Sequence, residues 1–322
     1  MPTGSGTPKT ENGKRLLLAI EIGASKCQMA LGDAGGIVAA RHRAAVDRAA
    51  GGAGIRAQIE SAVAAWRRQG HSWAAVGCGY GGPVDWQTGR ICCSHHVVGW
   101  DDFPLADWLR DLCGAPAIVD NDTNVAALGE ALLGAGRGDN PVFYTNSGSG
   151  VGGGLVADGR IFHGAKPGEA EFGHIRLDRS GTTVEDRCSG WAMDQKIRAL
   201  PASGDTGTLS RSLPKTPGGE ARLLPAALAA GDPAARRILD ETSEDLAFAL
   251  SHVVHLFHPA AIVLGGGLSL IGEPWRAAVE RALPRFIMKA FHPPPPVRLA
   301  ALGEDVVPAG ALLLAAQRDG TT

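Results

Sequence analysis

Charge asymmetry, long apolar runs, spaced cysteine pairs and a Walker-type phosphate loop are all missing from this 322-residue chain. Its 31 Lys and Arg against 33 Asp and Glu leave a formal charge of −2. That balance gives no electrostatic basis for nucleic acid or an anionic membrane as partner. The apolar run RLLLAI (15–20) is too short to span a bilayer, and Glu21 follows it at once. Cys27, Cys78, Cys92, Cys93, Cys113 and Cys188 contain no C-x-x-C pair and mostly lie in apolar stretches. With no secretory signal either, the expectation is reduced thiols in a cytoplasmic protein. No G-x-x-x-x-G-K-[ST] occurs. Glycine is what the chain has in excess, with 45 residues, about twice the usual share. The glycines cluster at turns, which suggests backbone approaching ligands rather than disorder.

The length suffices for two ordinary domains. The first 13 residues are polar and expected to fray. Strands are expected over 16–23, 24–33 and 35–44, then a helix near 53–69, where Ile55, Ile59, Val63 and Trp66 hold helical spacing. A strand with a Gly-rich end (73–82), a helix (104–113), a strand (115–122) and a helix (123–136) follow. The pattern then returns, with strands at 141–148, 150–159 and 160–164. Helices near 236–257, 272–288 and 307–318 alternate with strands at 261–267 and 297–302. Two halves with the same order of elements read as a domain duplication. They imply mixed sheets with helices on both faces. Ligands are expected beyond the strand ends, in the cleft between the halves. The segment 202–221 is either a lid or a flexible loop. PPPP (293–296) is a stiff connector.

Two hairpin turns of small residues, EIGASK (21–26) and NSGSGVGGG (146–154), occupy matching places in the halves. Such turns let backbone N–H groups approach a phosphate, or they are ordinary hairpins. LGGGLS (264–269) is a third place where backbone can lie against a nucleotide. VDNDTNVAALGE (119–130) ends a strand with Asp120, Asn121 and Asp122 at a helix start. Asp122 or Thr123 can cap that helix. An aspartate there can equally take a proton from a hydroxyl attacking a phosphoryl group. GEAEFGHIRLDRSGTTVEDRCSG (168–190) gathers Glu169, Glu171, His174 and Glu185. These groups suit a metal, a polyhydroxylated substrate or a solvated turn, and the residues alone leave all three open. His252, His255 and His258 share a helix whose intervening Val and Leu favour a core face over a metal site.

Taken together, AIEIGASK, GYGGPVD (79–85), GW (99–100), NDTNVAALGE, NSGSGVGGG, GEAEFGH and IVLGGGLS resemble, in that order, the ROK family of sugar kinases. The resemblance runs from Arg15 to Gln317. It implies an actin-like, ribonuclease H-like pair of α/β domains. On that reading 1–14 is a tail and 15–121 a small N-terminal domain to which helix 307–322 returns, while 122–306 forms the larger domain. The implied activity is ATP- and Mg²⁺-dependent phosphorylation of a hexose or hexose derivative, glucokinase-like, in a cytoplasmic homodimer. Asp122 would be the catalytic base, and Asn121, Glu171, His174, Glu185 and Gly82 sugar ligands. Glu21, Gly23, Ser25, Lys26, Gly148, Ser149, Gly150, Gly265, Gly266 and Gly267 would serve the nucleotide.

Departures from the family pattern matter here. The family's C-x-C-G-x-x-G-C zinc segment after Gly-His is absent, so no structural zinc is expected and His174 is left to the sugar. Glu21 and Ala24 stand where Asp and Gly are usual, and His96 stands where Asn is common. About 14 residues precede the first strand, so the winged helix of repressor members, and DNA binding with it, is not expected. Two alternatives follow from these departures: a sugar-binding regulatory protein with nucleotide use lost, and a polyphosphate-using kinase.

Overall fold

A computed structural model describes residues 16–23, 26–94, 97–166, 168 and 170–319. The chain separates into two compact units: 1–133 with 160–170 and 302–322, and 134–159 with 171–301.

The first unit is built on a sheet ordered β3–β2–β1–β4–β7. It starts with β1 (Leu17–Ile22), β2 (Lys26–Gly32) and β3 (Val38–Ala45), paired antiparallel. β1 is central and buried on both faces, which is why LLAIEI shows no polar alternation. β3 is the edge and buries none of its residues fully, with Arg41, His42 and Arg43 all exposed. Helix α1 (Gly51–Arg68) buries Ile55, Ile59, Val63 and Trp66, the spacing expected of it. Each such side chain contributes roughly 1.5–3 kcal/mol on burial. β4 (Val76–Tyr80) runs parallel to β1, and a two-strand ribbon of β5 (Val84–Asp85) and β6 (Arg90–Ile91) follows. Helix α2 (Leu105–Cys113) stops at Gly114, whose φ of 61° suits glycine. β7 (Ala117–Asn121) runs parallel to β4 and leads directly into α3 (Asp122–Leu132).

The second unit repeats the topology. β8 (Val142–Ser147) and β9 (Val151–Ala157) form the hairpin. β10 (Arg160–Ile161) is only two residues long, shorter than the 160–164 expected, and opens the segment that clusters with the first unit. Helices α4 (Val184–Cys188), α5 (Gly190–Arg198), α6 (Thr208–Arg211) and α7 (Leu224–Ala229) precede the long α8 (Pro233–Phe257). Asp232 caps α8 by accepting from Ala234 and Ala235 N–H at 2.9 and 3.1 Å, with Pro233 at the first helical position. β11 (Ala261–Gly265) pairs parallel with β8 and with β12 (Val297–Leu299), flanked by α9 (Glu273–Ala282).

The last helix, α10 (Val306–Asp319), packs on α3, β1 and β4. The contact is backbone-close. A Cβ on Gly310 would stand 1.9 Å from Val125 O, and one on Gly77 1.9 Å from Ala311 O. This packing gathers α3 into the first unit, whose first segment runs to Leu133. No helix among the described residues is long and apolar enough to cross a membrane. The segment 202–221 is neither a bare loop nor a lid without structure. It carries α6, and Asp194 on α5 accepts from Gly219 and Ala221 N–H at 2.8 Å each. Glu220, 1% exposed, pairs with Arg198 beneath it.

Candidate functional site

In the first unit, the carboxyl ends of three parallel strands meet. Register places Glu21 of β1 opposite Gly79 of β4, and Gly79 opposite Asp120 of β7. Ligands in α/β sheets are met at such strand ends. Asp122 is the first residue of α3, and a Cβ on Gly81 would stand 3.1 Å from its Oδ2. Burial, then the neighbouring Glu21 carboxylate, push the Asp122 carboxyl up to about 6 against the opposing effects of Thr123 and Lys26. A carboxyl so placed ionises near neutrality while keeping basicity toward a hydroxyl.

The helix cap is neither Asp122 nor Thr123. Asn121, still extended at φ −61° and ψ 141°, accepts from Thr123 N–H at 2.8 Å and Asn124 N–H at 3.3 Å. Its Nδ2 donates to Gly82 O at 3.1 Å, leaving one amide hydrogen for a ligand. Glu21 is 5% exposed and accepts from Lys26 Nζ at 3.1 Å and from Gln28 Nε2. Gln28 also donates to Glu304 O at 3.2 Å, while its Oε1 accepts from Arg43. The β1–β2 turn closes with Gly23 N–H on Lys26 O at 2.9 Å. Ser25, Ala24, His96 and Glu169 lie outside the described residues.

In the second unit, the β8–β9 turn and the end of β11 are brought together. A Cβ on Gly266, at φ 78°, would stand 2.1 Å from Asn146 Oδ1 and 2.6 Å from the Ser147 carbonyl carbon. Gly190 N–H donates to Gly148 O at 2.6 Å, docking the start of α5 on the same turn. Between them opens a cavity of about 380 Å³. Gly148, Ser149 and Gly267 supply small residues and backbone to it, Trp191, Leu268 and Leu270 apolar surface, and Asp194 and Arg222 polar groups. Gly265 ends β11 against the Tyr144 ring, outside that lining.

Glu185, on α4, accepts from Val151 N–H at 2.9 Å, and a Cβ on Gly150 would meet its Oε2 at 2.4 Å. The Gly150 side of the hairpin therefore faces a carboxylate, whereas Gly148 and Ser149 face the cavity. Glu171 and His174 flank the turn Phe172–His174, with Oε2 and Nε2 3.9 Å apart and both side chains exposed. Phe172 anchors that turn edge-on against Phe143. Residues 175–183 form a tight return in which Leu177 N–H reaches Thr182 O and Val184 N–H reaches Ile175 O. Asp178 closes it by accepting from Ser180, Gly181 and Thr182 N–H, and the Ser180 and Thr182 side-chain hydroxyls, more than those backbone bonds, hold its carboxyl down at about 2. A larger hollow of about 950 Å³ runs along edge strand β7 and contains none of the candidate residues.

The ROK family model matches residues 17–318. The chain belongs to the ROK family. It is 30% identical to a glucokinase of Halalkalibacterium halodurans over 95% of this chain and 97% of that protein. It is 29% identical to a glucokinase of Streptomyces coelicolor over 94% and 98% of the two chains. In structure it resembles a ROK family glucokinase from Streptomyces griseus solved with glucose and AMPPNP, with TM-score 0.80 and 29% identity over 94% and 99% of the chains. The two-unit fold of this ROK protein is the actin-like one that the resemblance implied.

Sequence reasoning missed Trp191, Asp194 and Arg222 as cavity residues, and Gln28 as the group that fixes Glu21. Only the SG-W-A pairing of a helix cap with a lone Trp hinted at the first. The others depend on contacts across 25 residues or on a cross-strand pair.

Proposed function

We propose that this ROK-family protein phosphorylates a hexose with ATP, with Asp122 as the general base. The observation that carries this reading is a part-buried carboxyl, raised to about 6, at the ends of three parallel strands. Asp122 accepts the proton of the attacking hydroxyl, and the free amide hydrogen of Asn121 orients that hydroxyl. Glu171, His174 and Glu185 supply acceptors and a donor for the remaining hydroxyls, with Glu185 held by the Val151 N–H.

The cavity beside Gly148, Ser149 and Gly267 suits a nucleotide: small residues at one end, and Trp191 with Leu268 for a flat base. ATP with Mg²⁺ supplies the phosphoryl group and neutralises its charge. Glu21, buried at the same strand ends, is available toward the cation, and Lys26 already competes for it. That pairing favours a second reading, in which nucleotide use is weak and the protein binds sugar as a regulator. Cytoplasmic location and a homodimer belong to the same family-based reading, and light scattering measures the latter.

A panel of hexoses, N-acetylhexosamines and β-glucosides with ATP, and in parallel with polyphosphate, tests the assignment. Turnover of one sugar with ATP supports it. Sugar binding without turnover, and without calorimetric binding of millimolar ATP with Mg²⁺, overturns it in favour of the regulator.

A further inference from the structure

His163 follows β10 within the 160–170 segment and is bound to the carboxyl end of β7, two residues before Asp122. Its Nε2 lies 2.6 Å from Asp120 Oδ2. The Asp120 side chain is 3% exposed and that of His163 17%. The other carboxylate oxygen, Oδ1, accepts from Asn121 N–H at 2.8 Å and from Asn124 Nδ2 at 2.9 Å. As a carboxylate Asp120 only accepts, so His163 donates through Nε2. One buried group thus spans the β7–α3 junction, gripping residue 121 on the strand side and residue 124 inside the helix. Asp122 sits between those two grips. The imidazole is itself fixed by stacking on Trp86, with ring centroids 4.3 Å apart and planes within 12°. Trp86 also takes Gly168 against its edge, where a Cβ would stand 2.6 Å from Cδ1. Lys166 ties the same segment to Asp85 at 2.8 Å.

We infer that His163 is a positioning residue for phosphoryl transfer, acting through Asp120 on the placement of Asn121 and Asp122. The inference rests on the assignment of Asp122 as base. A hydroxyl and its base must meet within a few tenths of an ångström of the productive geometry, so loosening this junction lowers kcat rather than nucleotide binding. The ring and its donor are separable by mutation. His163→Phe keeps a flat ring for Trp86 and removes the donor. His163→Gln gives up the stack and retains an N–H at about the reach of Nε2.

The experiment is steady-state kinetics on the full chain, with unfolding curves for each variant. His163→Phe is expected to lose about 10- to 100-fold in kcat, with KM for ATP within about twofold. His163→Gln is expected to recover most of that rate. Should His163→Phe fail to fold, His163→Asn, whose amide falls short of Asp120, takes its place with the same expected loss. Wild-type kcat in the donor-less variant, or equal losses in the Phe and Gln variants, overturns the inference. Asp122→Asn is measured alongside. If it stays active, the base assignment falls and this inference with it. If it is dead while His163→Phe is unimpaired, only the role of His163 falls.

Discussion

Replacing Asp122 by Asn should do two opposite things: stop phosphorylation and stabilise the fold at pH 8. The second effect follows from the first unit's own geometry. The Asp122 carboxyl is held at about 6 against an ordinary value of 3.8, chiefly by burial and next by Glu21. A folded value above the unfolded one means that the folded state binds the proton more tightly. Ionisation of Asp122 therefore costs the fold stability progressively from about pH 4 upward and in full above pH 6, and the cost is gone by about pH 3, where both states are protonated. The full displacement corresponds to about 3 kcal/mol. Asp122 is only part-buried, so solvent screening reduces this to about 1–2 kcal/mol. Asn has the same shape without the charge. Urea unfolding should show Asp122→Asn more stable than wild type by that amount at pH 8, and equal to it near pH 3. A coupled assay should show a loss of at least about 100-fold in kcat. The wild-type kcat/KM should fall tenfold per pH unit below about pH 6. A variant less stable than wild type at pH 8, or a wild-type acid limb near pH 4, would refute the argument from desolvation.

Other perturbations address separate parts of the molecule. Glu21→Gln removes the second cause of the raised Asp122 value, so the acid limb should move below pH 6 without reaching 3.8, because burial remains. Trp191→Ala should raise KM for ATP by about 5- to 20-fold and leave KM for sugar alone, as expected for loss of one aromatic face from the cavity. An unchanged KM for ATP would remove Trp191 from the nucleotide site. Elemental analysis should find only substoichiometric zinc. The return after His174 is closed by Asp178, and Cys188 is buried, donating to Thr242 O. One zinc per chain would contradict this.

What could be read from residue order alone was whatever local patterning governs. β1 and β4 showed as apolar runs ending in Glu21 and the Gly79–Gly82 turn, because a strand buried on both faces has no polar alternation to obscure it, and the edge strand β7 showed as a shorter apolar run before Asp120–Asp122. α1 and α8 were legible from apolar spacing over many turns. α5 was not: it has nine residues, and its buried Ala192, Met193 and Ile197 do not form a sustained stripe. Its hold on 219–221 through Asp194 is a contact that no local pattern encodes. The same is true of His163 and Asp120, 43 positions apart.

The most informative difference concerns the α3 cap. Either Asp122 or Thr123 was a reasonable cap by composition, yet the extended backbone at the end of β7 puts Asn121 there instead. A capping carboxylate would accept backbone N–H bonds, and such bonds depress its basicity. Asn121 takes Thr123 N–H and Asn124 N–H, while Asp120 takes Asn121 N–H. Asp122 is relieved of the cap itself, and what remains to it are Thr123 contacts that burial and Glu21 outweigh. The Asp-Asn-Asp sequence is thus a division of tasks: one acid clamps the junction, the amide caps the helix, and the second acid is left basic enough to take a proton.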